Sequence, residues 1–92
     1  MMKLIWTNKS LSDLARLYEF LAAVNEKAAV QVLQKLTTAP HRLLQHPRLG
    51  KKIERYLPRE VRHFFIEYYE IRYEIKAETI YVLRLWHTKE NR

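Results

Sequence analysis

Residues 69–87 read YEIRYEIKAETIYVLRLWH, and this stretch predicts two paired β-strands. In residues 69–75, apolar or aromatic side chains alternate with Glu, Arg and Glu, the period of two that marks a half-buried strand. Residues 80–83 are apolar at every position, which is typical of a strand in the middle of a sheet with both faces covered. Residues 77–78 separate the two segments and predict a tight hairpin turn. Residues 61–66, VRHFFI, supply a strand in front, so the chain is expected to close with an antiparallel meander.

Two amphipathic helices are predicted ahead of the meander. The first begins at Ser10, with Asp13 close to a capping box, and carries apolar residues at spacings of three and four. Asp13 and Arg16 are expected to lie largely on its opposite, solvent-facing side. The second helix begins near Glu26 and is halted or kinked by Pro40, because proline lacks the amide hydrogen. The break between the helices is short, so they are expected to pack as an antiparallel hairpin.

The order of strand, two helices and further strands predicts one α+β domain over residues 1–92. A first strand at residues 3–7 precedes the helix hairpin, which packs on a small antiparallel sheet of three to four strands. Residues 53–56 could form a short strand that begins the meander. Gly50, the only glycine, is expected at a turn with a positive φ. The other face of the sheet is then free for function.

The composition is that of a small basic domain, with 92 residues, 48% apolar, 29% charged and a formal net charge of +7. At this size folding buries roughly 60–65% of the unfolded surface, enough for one modest core. The absence of cysteine excludes disulfides and thiolate catalysis and fits a cytoplasmic protein. The N-terminal apolar run is too short for a signal peptide or a membrane span. The positive charge favours nucleic acid, ribosomes or an acidic protein as a partner.

The basic side chains concentrate in residues 48–62, which hold six Lys or Arg and two Glu. Guanidinium and ammonium groups pair with phosphates or with the carboxylates of a partner, although a solvated loop has the same composition. The four histidines lack the i, i+4 spacing of a helical metal site, and no cysteine assists them. A single glycine cannot build a phosphate-cradling loop. No metal and no cofactor are therefore expected.

Arg62, Arg84 and His87 form a constellation with catalytic potential. If the strands pair as a meander, the two arginines can lie on neighbouring strands with His87 close by. An arginine could then neutralise a phosphate while the histidine moves a proton, which would allow RNA cleavage. The same groups could instead bind a partner, with Trp86 as an aromatic anchor, although such a residue more often caps the core.

Five strings in this order resemble the RelE/ParE family of bacterial toxins: SDLA at residues 12–15, PRLGK at 47–51, REVR at 59–62, YEIRYEI at 69–75 and IYVLRLWH at 80–87. The family pattern has an arginine-rich entry, a Y-x-I-x-Y strand and a last strand that ends L-R-x-x-H. The resemblance covers nearly the whole chain, roughly residues 4–92. Ribonucleases of the family usually add a catalytic carboxylate or lysines and an aromatic residue near the end of the last strand. The tail here, TKENR, has no tyrosine, so the chain looks closer to the ParE branch.

The resemblance implies the toxin of a type II toxin–antitoxin system, of a kind associated with plasmid stabilisation, that inhibits DNA gyrase and blocks replication without being a hydrolytic enzyme. It implies gyrase as the target and a hetero-oligomer with an acidic antitoxin, without a membrane and without direct sequence-specific DNA binding. The expected target contacts are Arg59, Arg62, Arg84, Trp86, His87, Lys89 and Arg92. The expected antitoxin contacts are Leu14, Leu17, Tyr18, Leu21, Val32 and Leu36.

Two alternatives remain open from the sequence. The first is a RelE-like, ribosome-dependent mRNA endoribonuclease, with Arg62, Arg84 and His87 as its catalytic groups. The second is a non-toxic homologue that only binds the antitoxin.

Overall fold

The computed structural model describes residues 1–91, in which two helices pack on one face of a five-stranded sheet. The elements are β1 (Lys3–Trp6), α1 (Asn8–Ala22), α2 (Glu26–Thr38), a 3₁₀ helix (Ala39–Leu44), β2 (Lys51–Lys52), a second 3₁₀ helix (Glu54–Tyr56), β3 (Glu60–Ile66), β4 (Tyr69–Lys76) and β5 (Thr79–His87). The predicted α+β class and the helix hairpin are confirmed. No helix within the described residues is long and apolar enough to cross a membrane.

The sheet has the strand order β1-β5-β4-β3-β2. Strands β2 to β5 form the predicted antiparallel meander, whereas β1 pairs with β5 in parallel, with Lys3 opposite Thr79 and Trp6 opposite Val82. The sheet therefore has five strands, because two short strands extend it at its edges. Strand β5 lies between β1 and β4, as its unbroken apolar run predicts. The short strand expected at residues 53–56 is wrong, because a 3₁₀ helix forms there and β2 lies just before it.

The inner face of the sheet, which the helices cover, carries the main core. The alternation along β4 is confirmed, because its apolar side chains are all at most 9% exposed: Tyr69, Ile71, Tyr73 and Ile75. The helices contribute Leu14, Leu17 and Leu36 to the same cluster. Full burial of one such aliphatic side chain contributes about 1.5–3 kcal/mol, so this cluster is a main source of stability.

An irregularity in the β4–β5 ladder turns two side chains of β5 to the outer face. Arg72 pairs with Arg84, but the next residue of β4 pairs with Val82, so Leu83 is an extra residue. A bulge of this kind shifts the alternation of side chains by one position. Arg84 and Trp86 therefore face outward on the same side as Arg72, whereas Leu85 between them is buried in the core.

Helix α1 begins earlier than predicted, because Thr7 rather than Ser10 is its N-cap. The Thr7 hydroxyl accepts a hydrogen bond from the Ser10 N–H at 3.2 Å and donates one to the Val82 carbonyl at 2.8 Å. Ser10 is buried, and its hydroxyl donates to the Thr7 carbonyl at 2.7 Å. The cap thus joins the start of α1 to β5. Helix α2 begins at Glu26, as predicted, and is capped by the Asn25 side chain.

The prediction that Gly50 has a positive φ is wrong. Glycine is needed there for space, because a Cβ would lie 2.7 Å from the His63 carbonyl oxygen and 2.9 Å from the Tyr73 ring. The Tyr73 hydroxyl accepts a hydrogen bond from the Gly50 N–H at 2.9 Å and donates one to the Pro47 carbonyl at 2.7 Å. The loop before β2 is thus closed against a core side chain.

Gly50→Ala is expected to lower the free energy of unfolding by about 1–3 kcal/mol, because the added methyl group overpacks against backbone and a fully buried ring. Urea unfolding followed by circular dichroism measures the change. Ala77→Gly is the control for backbone flexibility: the φ of Ala77 is 55°, so glycine relieves strain there and should not destabilise the protein. Wild-type stability in Gly50→Ala would contradict the close contact with Tyr73.

Candidate functional site

A buried carboxylate, that of Asp13, joins α1 to the open edge of β5. Strand β1 ends opposite Val82, so the later residues of β5 have no strand on that side. There Asp13 Oδ2 accepts hydrogen bonds from the Leu85 N–H and from Arg84 Nε, both at 2.8 Å, and Oδ1 accepts one from Arg84 Nη2 at 3.2 Å. Arg16, on the next turn of α1, also donates to Oδ1. The Asp13 side chain is 3% exposed, so the prediction that it faces solvent is wrong.

These hydrogen bonds hold Asp13 in its charged form. Burial by itself would raise the pKa of the Asp13 carboxyl. The hydrogen bonds from Arg84, the Leu85 N–H and Arg16 outweigh burial, and the pKa of Asp13 is lowered overall.

The segment after β5 is fastened to the same network through Glu90. Arg16 Nε and Nη2 donate to the two Glu90 oxygens at 3.0 and 3.1 Å, and Nη2 also donates to the Leu85 carbonyl at 3.1 Å. Glu90 Oε1 accepts a hydrogen bond from the His87 N–H at 2.8 Å. Side chains of α1 and of the tail therefore cover the edge of β5 where β1 ends.

Arg62, Arg84 and His87 do not form one site. Strand β4 lies between β3, which carries Arg62, and β5, which carries the other two, so the arginines are not on neighbouring strands as expected. His87 is level with the end of β3, and Arg62 lies four residues back, about 13 Å along the strand. Arg62 Nη1 donates to the Gly50 carbonyl at 2.8 Å, and its Nε donates to Glu60 at 2.9 Å.

His87 and Lys89 lie at the end of β5. The His87 ring is 6.2 Å from the Tyr68 ring and 5.1 Å from the Tyr69 ring, and its Nδ1 accepts a hydrogen bond from the Lys89 N–H at 3.1 Å. Lys89 is exposed and has no acidic partner in the described part of the chain. Arg92, the last predicted contact, lies outside the described residues. Within residues 1–91 no group of three His, Cys, Asp or Glu side chains is placed to hold a metal ion.

Arg59 and Trp86, two further predicted contacts, are held by intramolecular partners. Arg59 donates to both carboxylate oxygens of Glu74, at 2.9 and 3.0 Å. Trp86 is 8% exposed, and the guanidinium carbons of Arg72 and Arg84 lie 4.6 and 4.7 Å from its ring centroid. Trp86 is therefore a buried support of these arginines rather than an exposed anchor.

The residues expected to contact the antitoxin divide between the core and the surface. Three are core residues of the helix hairpin: Leu14, Leu17 and Leu36. Three are only partly buried: Tyr18, Leu21 and Val32. A partner that docks on the hairpin would not reach Leu14 or Leu36 without unpacking the core, whereas Leu17 also lines a groove beside α1.

An open groove of about 440 Å³ lies between α1 and the end of β5. Leu17, Phe20 and Leu21 of α1 line it together with Tyr69 and His87, and the charged residues in its lining are Arg16, Lys89 and Glu90. Phe20 is 74% exposed. The sequence does not single it out, because helical periodicity gives no measure of exposure.

Four polar side chains form a network on the outer face that the sequence also does not single out: Tyr56, His63, Glu70 and Arg72. The Glu70 side chain is 3% exposed, and its Oε2 accepts a hydrogen bond from Arg72 Nη2 at 2.7 Å and lies 2.8 Å from His63 Nδ1. Arg72 Nη1 donates to the Tyr56 hydroxyl at 3.1 Å. Burial by itself would raise the pKa of Tyr56, but hydrogen bonds from Arg72 and Arg55 lower it overall. Alternation places Glu70 and Arg72 on this face, but it cannot show that Tyr56 meets them there.

Comparison with known proteins assigns this arrangement to a family. Residues 4–92 match the family described as the ParE toxin of type II toxin-antitoxin systems, parDE. The chain belongs to the ParE toxin family. It is similar in fold to a solved structure titled "Chromosomal ParDE TA system from P. aeruginosa", with a TM-score of 0.80 and 24% identity over 97% of this chain and 98% of that one. No curated protein matches the sequence.

In this member of the ParE toxin family, the arginines expected to contact a target also hold the fold together. Arg59, Arg62 and Arg84 each pair with a carboxylate of the same chain. The toxin's ion pairs therefore have to be considered in any substitution of these residues.

Asp13→Asn is expected to lower the free energy of unfolding by about 2–3 kcal/mol at pH 7. It removes a buried charge that satisfies the Leu85 N–H and two arginines, and it turns an N–H₂ group towards donors. The control is Glu67→Gln, which removes a carboxylate from an exposed pair with Lys35 and should cost less than about 1 kcal/mol. Urea unfolding measures both variants. Equal losses in the two would contradict the special role of the buried carboxylate.

The pH dependence of the same variant separates the loss of charge from a packing defect. Because the pKa of Asp13 is lowered on folding, its contribution to stability is present above its unfolded pKa of about 4 and is lost as pH falls through the folded value. The wild type should therefore lose stability as pH falls from about 5 towards 3, and its advantage over Asp13→Asn should shrink over that range. A packing defect would leave the difference constant.

Proposed function

We propose that this toxin inhibits DNA gyrase, and thereby blocks replication, until a cognate acidic antitoxin neutralises it. The observation that carries the proposal is the match to the ParE toxin family over residues 4–92. The net charge of +7 supports an acidic protein as the neutralising partner. The proposed mode of action is inhibition by binding, without hydrolysis.

The placement of the arginines supports binding rather than RNA cleavage. Cleavage by Arg62, Arg84 and His87 would need all three within reach of one phosphate. Strand β4 separates the two arginines, and each already pairs with a carboxylate. The ribosome-dependent nuclease built on these groups therefore gains no support from the geometry.

The target contacts we propose lie on the meander and its end. Arg59, Arg62 and Arg84 would share their guanidinium groups with carboxylates of the toxin, whereas Lys89 beside His87 keeps an unpaired charge within the described chain. Unpaired cations cost less to present to a partner, because no internal ion pair has to be broken. Further unpaired cations near the start of the meander are Lys51, Lys52 and Arg55.

We propose that the antitoxin docks in the groove between α1 and the end of β5. The exposed ring of Phe20 offers apolar area for a partner to cover, and Leu17 and Leu21 of the expected set line the same groove. His87 and Lys89 line it from β5 and the tail. An amphipathic segment with apolar and acidic side chains fits this lining.

Induction of the toxin without antitoxin should stop DNA synthesis before protein synthesis, because gyrase is required for replication. Pulse labelling of DNA and protein over the first minutes measures the order, and co-expression of the antitoxin is the control. A cleavage-complex assay with purified gyrase then tests the target directly. An earlier fall in protein synthesis would favour the ribonuclease, and no growth effect with antitoxin binding retained would favour the non-toxic homologue.

Phe20→Ala should weaken antitoxin binding by on the order of ten- to a hundred-fold. An exposed aromatic side chain that becomes buried on binding commonly dominates the energy of an interface. The matched control is Phe65→Ala, which removes an equally large, exposed ring from the outer face of the sheet. Calorimetric titration with purified antitoxin measures both affinities. Wild-type affinity in Phe20→Ala, or an equal loss in Phe65→Ala, would place the antitoxin elsewhere.

A further inference from the structure

A row of basic side chains crosses the outer face of the sheet. In the strand register Lys51 is opposite His63, His63 is opposite Arg72, and Arg72 is opposite Arg84. Residues that pair directly point to the same face, and neighbouring strands are about 4.8 Å apart. The row is therefore about 14 Å long and spans four strands.

The free charge of the row lies at its β2 end. The two arginines are neutralised by buried carboxylates, whereas Lys51 is exposed and without an acidic partner in residues 1–91. Arg55 brings a second charge without a carboxylate partner to this face. Its guanidinium lies 5.1 Å from the centroid of the Tyr56 ring, and the Tyr56 hydroxyl accepts a hydrogen bond from the outward-facing Arg72. Glu54, on the same turn, offsets part of this charge.

His63 is held in one orientation beside these cations. Its Nδ1 lies 2.8 Å from a buried oxygen of Glu70, which also accepts a hydrogen bond from Arg72. Nε2 has no partner among the described residues, and the side chain is 24% exposed. Nε2 is therefore the ring nitrogen left to contact a ligand.

Phe65 adds an exposed aromatic ring to the same face. It pairs with the outward-facing Glu70, it follows His63 by two positions, and the two rings are 5.4 Å apart. The side chain is 53% exposed, so it adds little to the core. An exposed ring beside a basic row can stack on a nucleic-acid base, and it can do so with any base because each has a flat π-face.

We propose that the surface formed by Lys51, Arg55, His63 and Phe65 binds a short single-stranded nucleic acid. The cations and His63 hold phosphates, and Phe65 stacks on a base. This combination of charge and stacking binds single strands without reading their sequence. The inference goes beyond gyrase inhibition and does not depend on it.

The test is fluorescence anisotropy of the purified full-length toxin with a labelled mixed-sequence 12-mer, as single-stranded DNA, single-stranded RNA and duplex DNA at low salt. We expect a single strand to bind more tightly than the duplex, whose bases are stacked inside, and the two single strands show whether the site prefers DNA or RNA. Phe65→Ala should weaken single-strand binding about ten-fold or more. Lys51→Gln should reduce the slope of log K against log salt by about 0.7.

Matched controls remove an exposed apolar group and an exposed charge from the helices: Leu11→Ala and Lys27→Gln. Both positions are exposed, so these variants should fold and bind like the wild type. The inference would be overturned if the controls lost as much affinity as Phe65→Ala and Lys51→Gln, or if no strand bound at low salt. It would also be overturned if duplex and single strand bound equally and Phe65→Ala had no effect. If the toxin binds no single strand but DNA synthesis still falls first after induction, the gyrase proposal stands. If single strands bind as expected but DNA synthesis does not fall first, this nucleic-acid site stands without the gyrase proposal.

Discussion

The buried carboxylate of Asp13 is the interaction on which the rest of the structure depends. Strand β1 must end at Trp6 so that the chain can turn into α1, and this leaves the later part of β5 without a neighbour on that side. The Thr7 hydroxyl then donates a hydrogen bond to the Val82 carbonyl of β5, and the Asp13 carboxylate accepts one from the Leu85 N–H further along the strand. Helix α1 is thereby aligned along the edge of β5. A backbone group left unpaired there would cost as much as a lost hydrogen bond.

The same carboxylate explains how a basic chain distributes its charge. A buried anion needs several donors, and the planar guanidinium offers them in a fixed geometry that an ammonium group lacks. Asp13 accordingly binds Arg16 and Arg84, and Glu70 binds Arg72. Most cations without an acidic partner in the described chain are lysines. The arginines thus mainly serve the fold, and the lysines mainly provide the free charge that attracts partners.

Local patterns predicted the elements, and contacts between distant segments decided the rest. Alternation along β4 and the apolar stripe of α2 are properties of single segments, so strand and helix could be read from them. Asp13 flanks the apolar stripe of α1, and its burial depends on Arg84, which lies 71 residues further along the chain. Gly50 likewise is needed because of the Tyr73 ring and not because of its own φ. The parallel pairing of β1 has no local signature at all.

The candidate sites also combine residues that local patterns predicted with contacts between distant segments. These contacts determine what a substitution can show. Arg84 was predicted to contact the target, yet it pairs with Asp13 and stacks on Trp86, which also supports Arg72. The groove at α1 and the outer face of the sheet therefore rest on one continuous set of contacts. Replacing Arg84 would therefore disturb both surfaces, and a loss of toxicity would report damage to either one. Only exposed side chains that support nothing else can locate a partner.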